Sequence, residues 1–184
     1  MTIMKDREYY SASSPTGTNI HFGVREQAMA AVCNGIALHG GFRPYCSTFF
    51  VFADYMKGSL RMTALMNLPV LYILSHDSIG VGEDGPTHQP VEQLVMLRSV
   101  PNIRVWRPCD GRETAAAYAS HFTGKHPTAL VTSRQKLVSP AGTDVERALR
   151  GGYVLADSSK ETPDVILMGS GSEVGLLVEA KKLL

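Results

Sequence analysis

No apolar run in these 184 residues approaches the roughly 18 that cross a bilayer, and the opening MTIMKDREYY is too charged for a secretory signal. A membrane span and export are therefore not expected, and a cytoplasmic location is. A surplus of charge is also lacking: Lys and Arg total 18 against 17 acids, a net charge of +1, so no basic surface calls for nucleic acid. Cysteine is scarce. Cys33, Cys46 and Cys109 are odd in number and have no C-x-x-C spacing, which argues against a disulfide framework or a cysteine zinc site and for reduced thiols. What remains, 44% apolar and 19% charged residues, fits a soluble globular protein with one domain, or one domain and part of another.

The pattern along the chain alternates. Residues 1–19 are polar and rich in Ser and Thr, and read as a surface arm. NIHFGV reads as a short strand, 25–39 as a helix closed by Gly40 and Gly41, PYCST as a strand, and 49–66 as a long amphipathic helix stopping before Pro69. PVLYILS is expected to be a strand buried on both faces. Then come a helix over 91–99, the strand NIRVW, a helix starting at Asp110 with Glu113 at capping-box spacing, and the strand PTALVTS. Strands alternating with helices predict an α/β fold, a mostly parallel sheet with helices on both faces. Residues 138–163 read as a linker with one short strand, and 164–184 as one strand, turn and helix. A lone strand and helix cannot bury their own faces, so a second α/β domain is expected to be incomplete here.

Ligands of open parallel sheets bind beyond the carboxyl ends of the strands. The loop HDSIGVGEDGPTHQP, 76–90, lies at such an end, as do 107–110 and 133–134. Gly80, Gly82 and Gly85 let it turn tightly and Pro86 restricts it, which sets His76, Asp84 and His88 where a site belongs. The plainer reading is an ordered polar loop, but two histidines and an acid within thirteen positions weigh against it. Zinc ligation by His, Asp and His ranks below hydrogen bonding to a polyol, because no H-E-x-x-H or similar helical spacing supports it.

Glu26 starts a helix, where the dipole favours an acid, yet its apolar neighbours also suit a carboxyl turned into a dry site with a raised pKa. Phe49, Phe52 and Tyr55 recur every third residue on one helical face, a pattern more often core than cofactor wall. Arg134, just past a strand, suits either a bidentate phosphate grip or a surface pair.

Taken together, GVREQAM, STF-x-x-F-x-x-Y, HDSIGVGEDGPTHQPVEQL, PNIRVWRPCDGRET and the SRQ-L strand end resemble the transketolase family of thiamine-diphosphate enzymes. The resemblance covers about 22–137 and continues more weakly through GGYVLAD and VILMGSGSEV. It implies a thiamine-diphosphate-binding fold. Residues 20–137 correspond to the pyrimidine-binding domain and 164–184 to the start of the C-terminal domain. The implied reaction moves a two-carbon ketol unit from a ketose phosphate to an aldose phosphate through a thiamine diphosphate ylid, in pentose phosphate metabolism. By the same resemblance Glu26 hydrogen-bonds the aminopyrimidine ring and is catalytic. Phe49, Phe52 and Tyr55 pack on that ring. His76 and His88 act in catalysis and, with Asp84, meet the sugar hydroxyls, while Arg134 anchors the sugar phosphate. The family acts as a homodimer.

The departures are specific. The family holds Mg2+ (or Ca2+) and the diphosphate through a G-D-G motif and a following Asn in a separate N-terminal domain, and no G-D-G occurs here. The chain is therefore expected to be a piece of such an enzyme, inactive alone and dependent on a diphosphate-binding partner. Two alternatives are a non-catalytic dimerisation or binding fragment and a 2-oxo-acid dehydrogenase-type subunit, the latter disfavoured by the paired histidines. GSGSEVG follows a strand and opens a helix like a dinucleotide fingerprint, but its spacing is G-x-G-x-x-x-G. It is read as a tight turn with Ser172 as helix cap.

Overall fold

The computed structural model describes residues 3–184, so the first two positions of the arm lie outside the described residues. Four parallel strands form the sheet: β1 (Tyr45–Phe49), β2 (Leu71–Ser75), β3 (Arg104–Trp106) and β4 (Thr128–Thr132), in spatial order β1-β2-β4-β3. Helix α1 (Glu26–His39) precedes β1; α2 (Ala53–Leu65), α3 (Gln93–Arg98) and α4 (Gly111–Thr123) lie between the strands, and α5 (Val145–Ala148) and α6 (Glu173–Leu183) follow β4. The expected α/β class, a parallel sheet with helices on both faces, is the one observed.

Strand alternation divides the core in two. Cys46, Tyr72, Leu74, Ala129 and Val131 point to one face, where α1 supplies Met29, Ala30 and Cys33, α2 supplies Met56, Leu60 and Ala64, and α3 supplies Leu97. Leu71 and Leu130 point to the other, where Ala117 and Tyr118 of α4 cover them. That second face is thinly covered. A groove of about 220 Å³ remains there, lined by Tyr45, Leu71, Ile73, Tyr118, Phe122 and Met4 of the arm. Ile73 is consequently only half-buried, and β2 is not buried throughout as its apolar run predicts.

Polar groups inside the first layer are tied together. Thr63 Oγ1 donates to Asn34 Oδ1 at 2.6 Å and lies 2.5 Å from the Tyr72 hydroxyl, while Asn34 Nδ2 donates to the Ser59 carbonyl at 3.0 Å. This satisfied network joins α1, α2 and β2. At α4 Asp110 Oδ1 caps the Glu113 amide at 3.0 Å, worth about 1 kcal/mol. Glu113 Oε2 reaches back to the Cys109 amide at 2.8 Å, one residue earlier than a standard capping box.

Several local expectations are corrected. NIHFGV is not a strand: Asn19 makes an isolated parallel bridge with Tyr9 and side-chain bonds to the Met4 and Arg7 carbonyls, Gly23 turns at φ +63, and among the described residues the pairing extends no further along the segment. The long helix expected over 49–66 begins at Ala53, after β1 ends at Phe49 and a 3-10 turn spans Phe50–Phe52. VILM is not a strand either, because no neighbour among the described residues pairs with it, and Val165, Ile166 and Met168 stay exposed. The short strand expected within the linker is likewise absent from its described residues. Ser172 precedes α6 but makes no capping bond; its hydroxyl instead donates to Glu173 Oε2 at 3.3 Å.

Candidate functional site

The carboxyl edge of the sheet gathers most of the residues singled out by the sequence. Residues 40–44 lead from α1 straight into β1, so α1 runs antiparallel to the strand and its first residue, Glu26, lies on the edge where strands end. Glu26 is half-buried there, one residue before Gln27, whose carbonyl accepts from Ser59 Oγ at 3.2 Å and so ties this first turn to α2.

Phe49, Phe52 and Tyr55 do not share one α-helical face. Phe49 closes β1, Phe52 sits in the 3-10 turn and Tyr55 in the first turn of α2. In a 3-10 turn side chains three apart eclipse, so this spacing lines the rings up more directly than an α-helix would. Phe49 and Phe52 have centroids 6.4 Å apart with planes 11° from parallel, and Phe52 and Tyr55 follow at 6.2 Å and 28°. The core position belongs to Phe50, which is fully buried, whereas Tyr55 is 67% exposed. The row is a wall that faces outward.

Two histidines complete it. His76 takes φ +63, a left-handed conformation that residues with side chains avoid, and its imidazole stacks on Phe49 with centroids 3.6 Å apart. His88 ends the short 3-10 turn Pro86–His88 and meets Phe52 edge-on at 5.1 Å and Phe49 at 6.0 Å. Burial pushes the His76 imidazole below its ordinary value; Arg134 and His88 add to that, and Asp84 opposes it. A neutral His76 can both donate and accept, as a hydroxyl-bearing ligand needs. Asp84 and Arg134 are exposed nearby, and a Cβ at Gly82 would stand 3.8 Å from the Arg134 Cζ. The loop glycine thus lies directly against the guanidinium.

Two residues under this wall escape any local pattern. Asp77, next to His76, accepts from Arg107 Nε at 2.9 Å and Nη2 at 2.8 Å, with side chains 1% and 8% exposed. Arg107 also reaches Glu173 Oε1 at 2.9 Å and the Ser170 carbonyl at 2.8 Å. The available signal is Arg107's place just past β3, on the same edge as the loop. Asp77 Oδ1, Ser133 Oγ and Gln135 Oε1 are buried and make no hydrogen bond with the described residues, leaving unused polar capacity along this edge.

Residues 2–139 match the family model of the transketolase pyrimidine binding domain, and 151–184 that of the transketolase-like C-terminal domain. A chloroplastic transketolase of Solanum tuberosum is 52% identical over 98% of this chain, and the transketolase of Bacillus subtilis is also 52% identical over 98%. A Pichia stipitis transketolase solved with sedoheptulose-7-phosphate superposes with a TM-score of 0.92 at 44% identity, over 97% of this chain and 27% of that one. The chain spans only 25% and 28% of the length of the two curated relatives. A family-model match over residues 2–139 and 52% identity to transketolases over 98% of the chain place this chain in the transketolase family.

Proposed function

We propose that the chain is the pyrimidine-binding portion of a transketolase, over 20–137, joined by the linker 138–163 to the start of the C-terminal domain at 164–184. The complete enzyme would transfer a two-carbon ketol unit between sugar phosphates. The observation that carries this reading is the outward aromatic wall, Phe49 to Tyr55, ending beside two histidines at the carboxyl edge of a parallel sheet.

The residues present suit the pyrimidine end of thiamine diphosphate. A flat ring can lie against Phe52 and Tyr55, each such contact contributing about 0.5–1.5 kcal/mol beyond burial. Bound there, thiamine diphosphate would supply an electron sink for the transferred two-carbon unit. Glu26 would hold a ring nitrogen of the pyrimidine by a hydrogen bond and so set its protonation pattern. His76 and His88 meet the sugar hydroxyls and carry protons at the oxygens that change, Asp84 accepts from a hydroxyl, and Arg134 grips the phosphate. The metal is a different case. Among the described residues no group of three His, Cys, Asp or Glu could hold Mg2+ or Ca2+, so these residues do not fit it, and a diphosphate-binding partner would supply the oxygen ligands. The complete enzyme is read as a homodimer in a reducing compartment such as the cytoplasm, since Cys33, Cys46 and Cys109 are free and buried.

Calorimetric titration with thiamine diphosphate and Mg2+ tests the reading. Binding and turnover are expected when a transketolase diphosphate-binding domain is supplied in trans, and neither with this chain alone. Glu26→Gln should then remove turnover and largely spare binding. Full turnover by the chain alone, in proportion to its concentration, would overturn it, as would no binding to the reconstituted pair.

A further inference from the structure

The GSGSEVG turn is unexplained by the proposed function, and its glycines are its informative residues. Gly171 has φ +61, and a Cβ there would stand 2.9 Å from Arg107 Cγ and Nε and 3.0 Å from Cζ. A side chain at this left-handed position would therefore have to push Arg107 aside, so glycine lets the turn close over the guanidinium where it sits. Around that opening Arg107 donates to the Ser170 carbonyl, to Ser172 Oγ at 3.4 Å and to Glu173 Oε1, with Glu173 Oε2 2.5 Å from Nη1. The segment that resembles a dinucleotide fingerprint is a receptor for an arginine. It stands more than sixty positions along the chain from that arginine, and the same guanidinium holds Asp77, the residue after left-handed His76.

We infer that Arg107 is a positioning residue: seated in the 169–173 turn, it anchors Asp77 and thereby fixes the orientation of His76 against Phe49. Docking of α6 onto the sheet edge is thus coupled to the geometry of the site. Three features require this arrangement to act as a unit. The Asp77 carboxylate is almost wholly removed from water, and Arg107 is its ion-pair partner. A buried carboxylate that loses its cation becomes costly, so Asp77 must move if Arg107 does. His76 has no freedom to absorb that movement while keeping both its strained φ and its stack on Phe49. Glu173 raises the hold on Arg107 in turn: although burial works against charge on both, their mutual bonds leave Arg107 above and Glu173 below its ordinary value.

The catalytic weight of this coupling rests on the reading of His76 as a substrate-binding group, but its geometry does not. The test therefore uses neither cofactor nor turnover. In the full 184-residue chain with labelled histidine rings, the His76 carbon-bound protons should resonate upfield under the Phe49 ring. Gly171→Ala expels Arg107 from its seat, and Glu173→Gln weakens it at a side chain already 45% exposed, so that the fold survives. Both variants should shift the His76 protons downfield and speed amide exchange at 76–78, with Gly171→Ala giving the larger change. Arg107→Lys should not restore the parent spectrum, since one ammonium cannot serve both carboxylates in this fork. His121, buried near the end of α4 against Thr128 at the start of β4, provides the control and should not move. Unchanged His76 resonances in both variants, or His76 and His121 shifting together, overturns the inference. A failure to bind thiamine diphosphate would instead sink the proposed function and leave this result standing.

Discussion

The imidazole of His76 lies on the ring of Phe49, centroids 3.6 Å apart and planes 23° from parallel. A strand-end aromatic thus serves as the floor for the first residue of the loop after the neighbouring strand. β1 and β2 pair in register, with Phe49 opposite Ser75, so the stack follows from sheet pairing as well as from side-chain preference.

Removing that floor should loosen the histidine and hydrate it. Phe49→Ala is expected to destabilise the chain by about 1–2 kcal/mol in denaturant unfolding, and to move the His76 pKa up toward the ordinary value of 6.5 by NMR titration. A pKa that stays depressed would show that other neighbours bury the imidazole.

Acid should weaken the fold in a defined window. Burial holds both His76 and His121 below 6.5, with Arg43 adding to the effect at His121. Below that value the unfolded chain takes up protons that the folded chain resists. The stabilisation from the neutral rings is therefore complete above pH 6.5 and is lost as pH falls through the folded values. His121→Asn, at a side chain whose Nδ1 lies 3.1 Å from Thr128 Oγ1, should flatten the acid limb of a melting-temperature profile. An unaltered limb would assign it elsewhere.

The α1–α2–β2 network sets an order of severity. Thr63→Val leaves Asn34 Oδ1 and the Tyr72 hydroxyl buried without this partner, a cost of about 1–3 kcal/mol. Tyr72→Phe removes a hydroxyl while Thr63 keeps its hydrogen bond to Asn34, and should cost about 1 kcal/mol or less. Urea unfolding of both variants measures the difference, and the reverse order would contradict the network.

In a reconstituted enzyme Arg134→Ala should weaken phosphorylated sugars by about tenfold to a hundredfold in kcat/KM while leaving free sugars nearly unchanged. Equal losses for both would show that Arg134 supports the loop through Gly82 rather than gripping a phosphate.

The layers were legible because β2 carries a continuous apolar run, α1 is closed by Gly40 and Gly41, and α4 opens at Asp110 with Glu113 at capping spacing. The entry to α2 was not. Phe49, Phe52 and Tyr55 at a spacing of three fit a 3-10 turn and an α-helix equally well, and only the end of β1 decides between them. NIHFGV and VILM have strand composition, but a strand exists only where another offers hydrogen bonds, which composition does not record. The candidate site divides similarly. His76, Asp84 and His88 share one loop and betray themselves by proximity. Asp77, Arg107 and Glu173 lie thirty and sixty-six positions apart, and no local period links charges at that range.

The strand order also dictates a timetable for the nascent chain. β3 pairs with β4 and not with β2, and β4 lies between them. When Trp106 has been synthesised, β1 and β2 can already pair, but β3 has no strand to join and β2 keeps an open edge. Only after Thr132 emerges can β4 insert and close both gaps at once, across loops whose closure entropy is then met in a single step. Until that moment the β2 edge, with its apolar Leu71 to Leu74, is open to pairing with another chain. Refolding yield should accordingly fall as protein concentration rises, with the vulnerable interval ending when β4 enters the sheet.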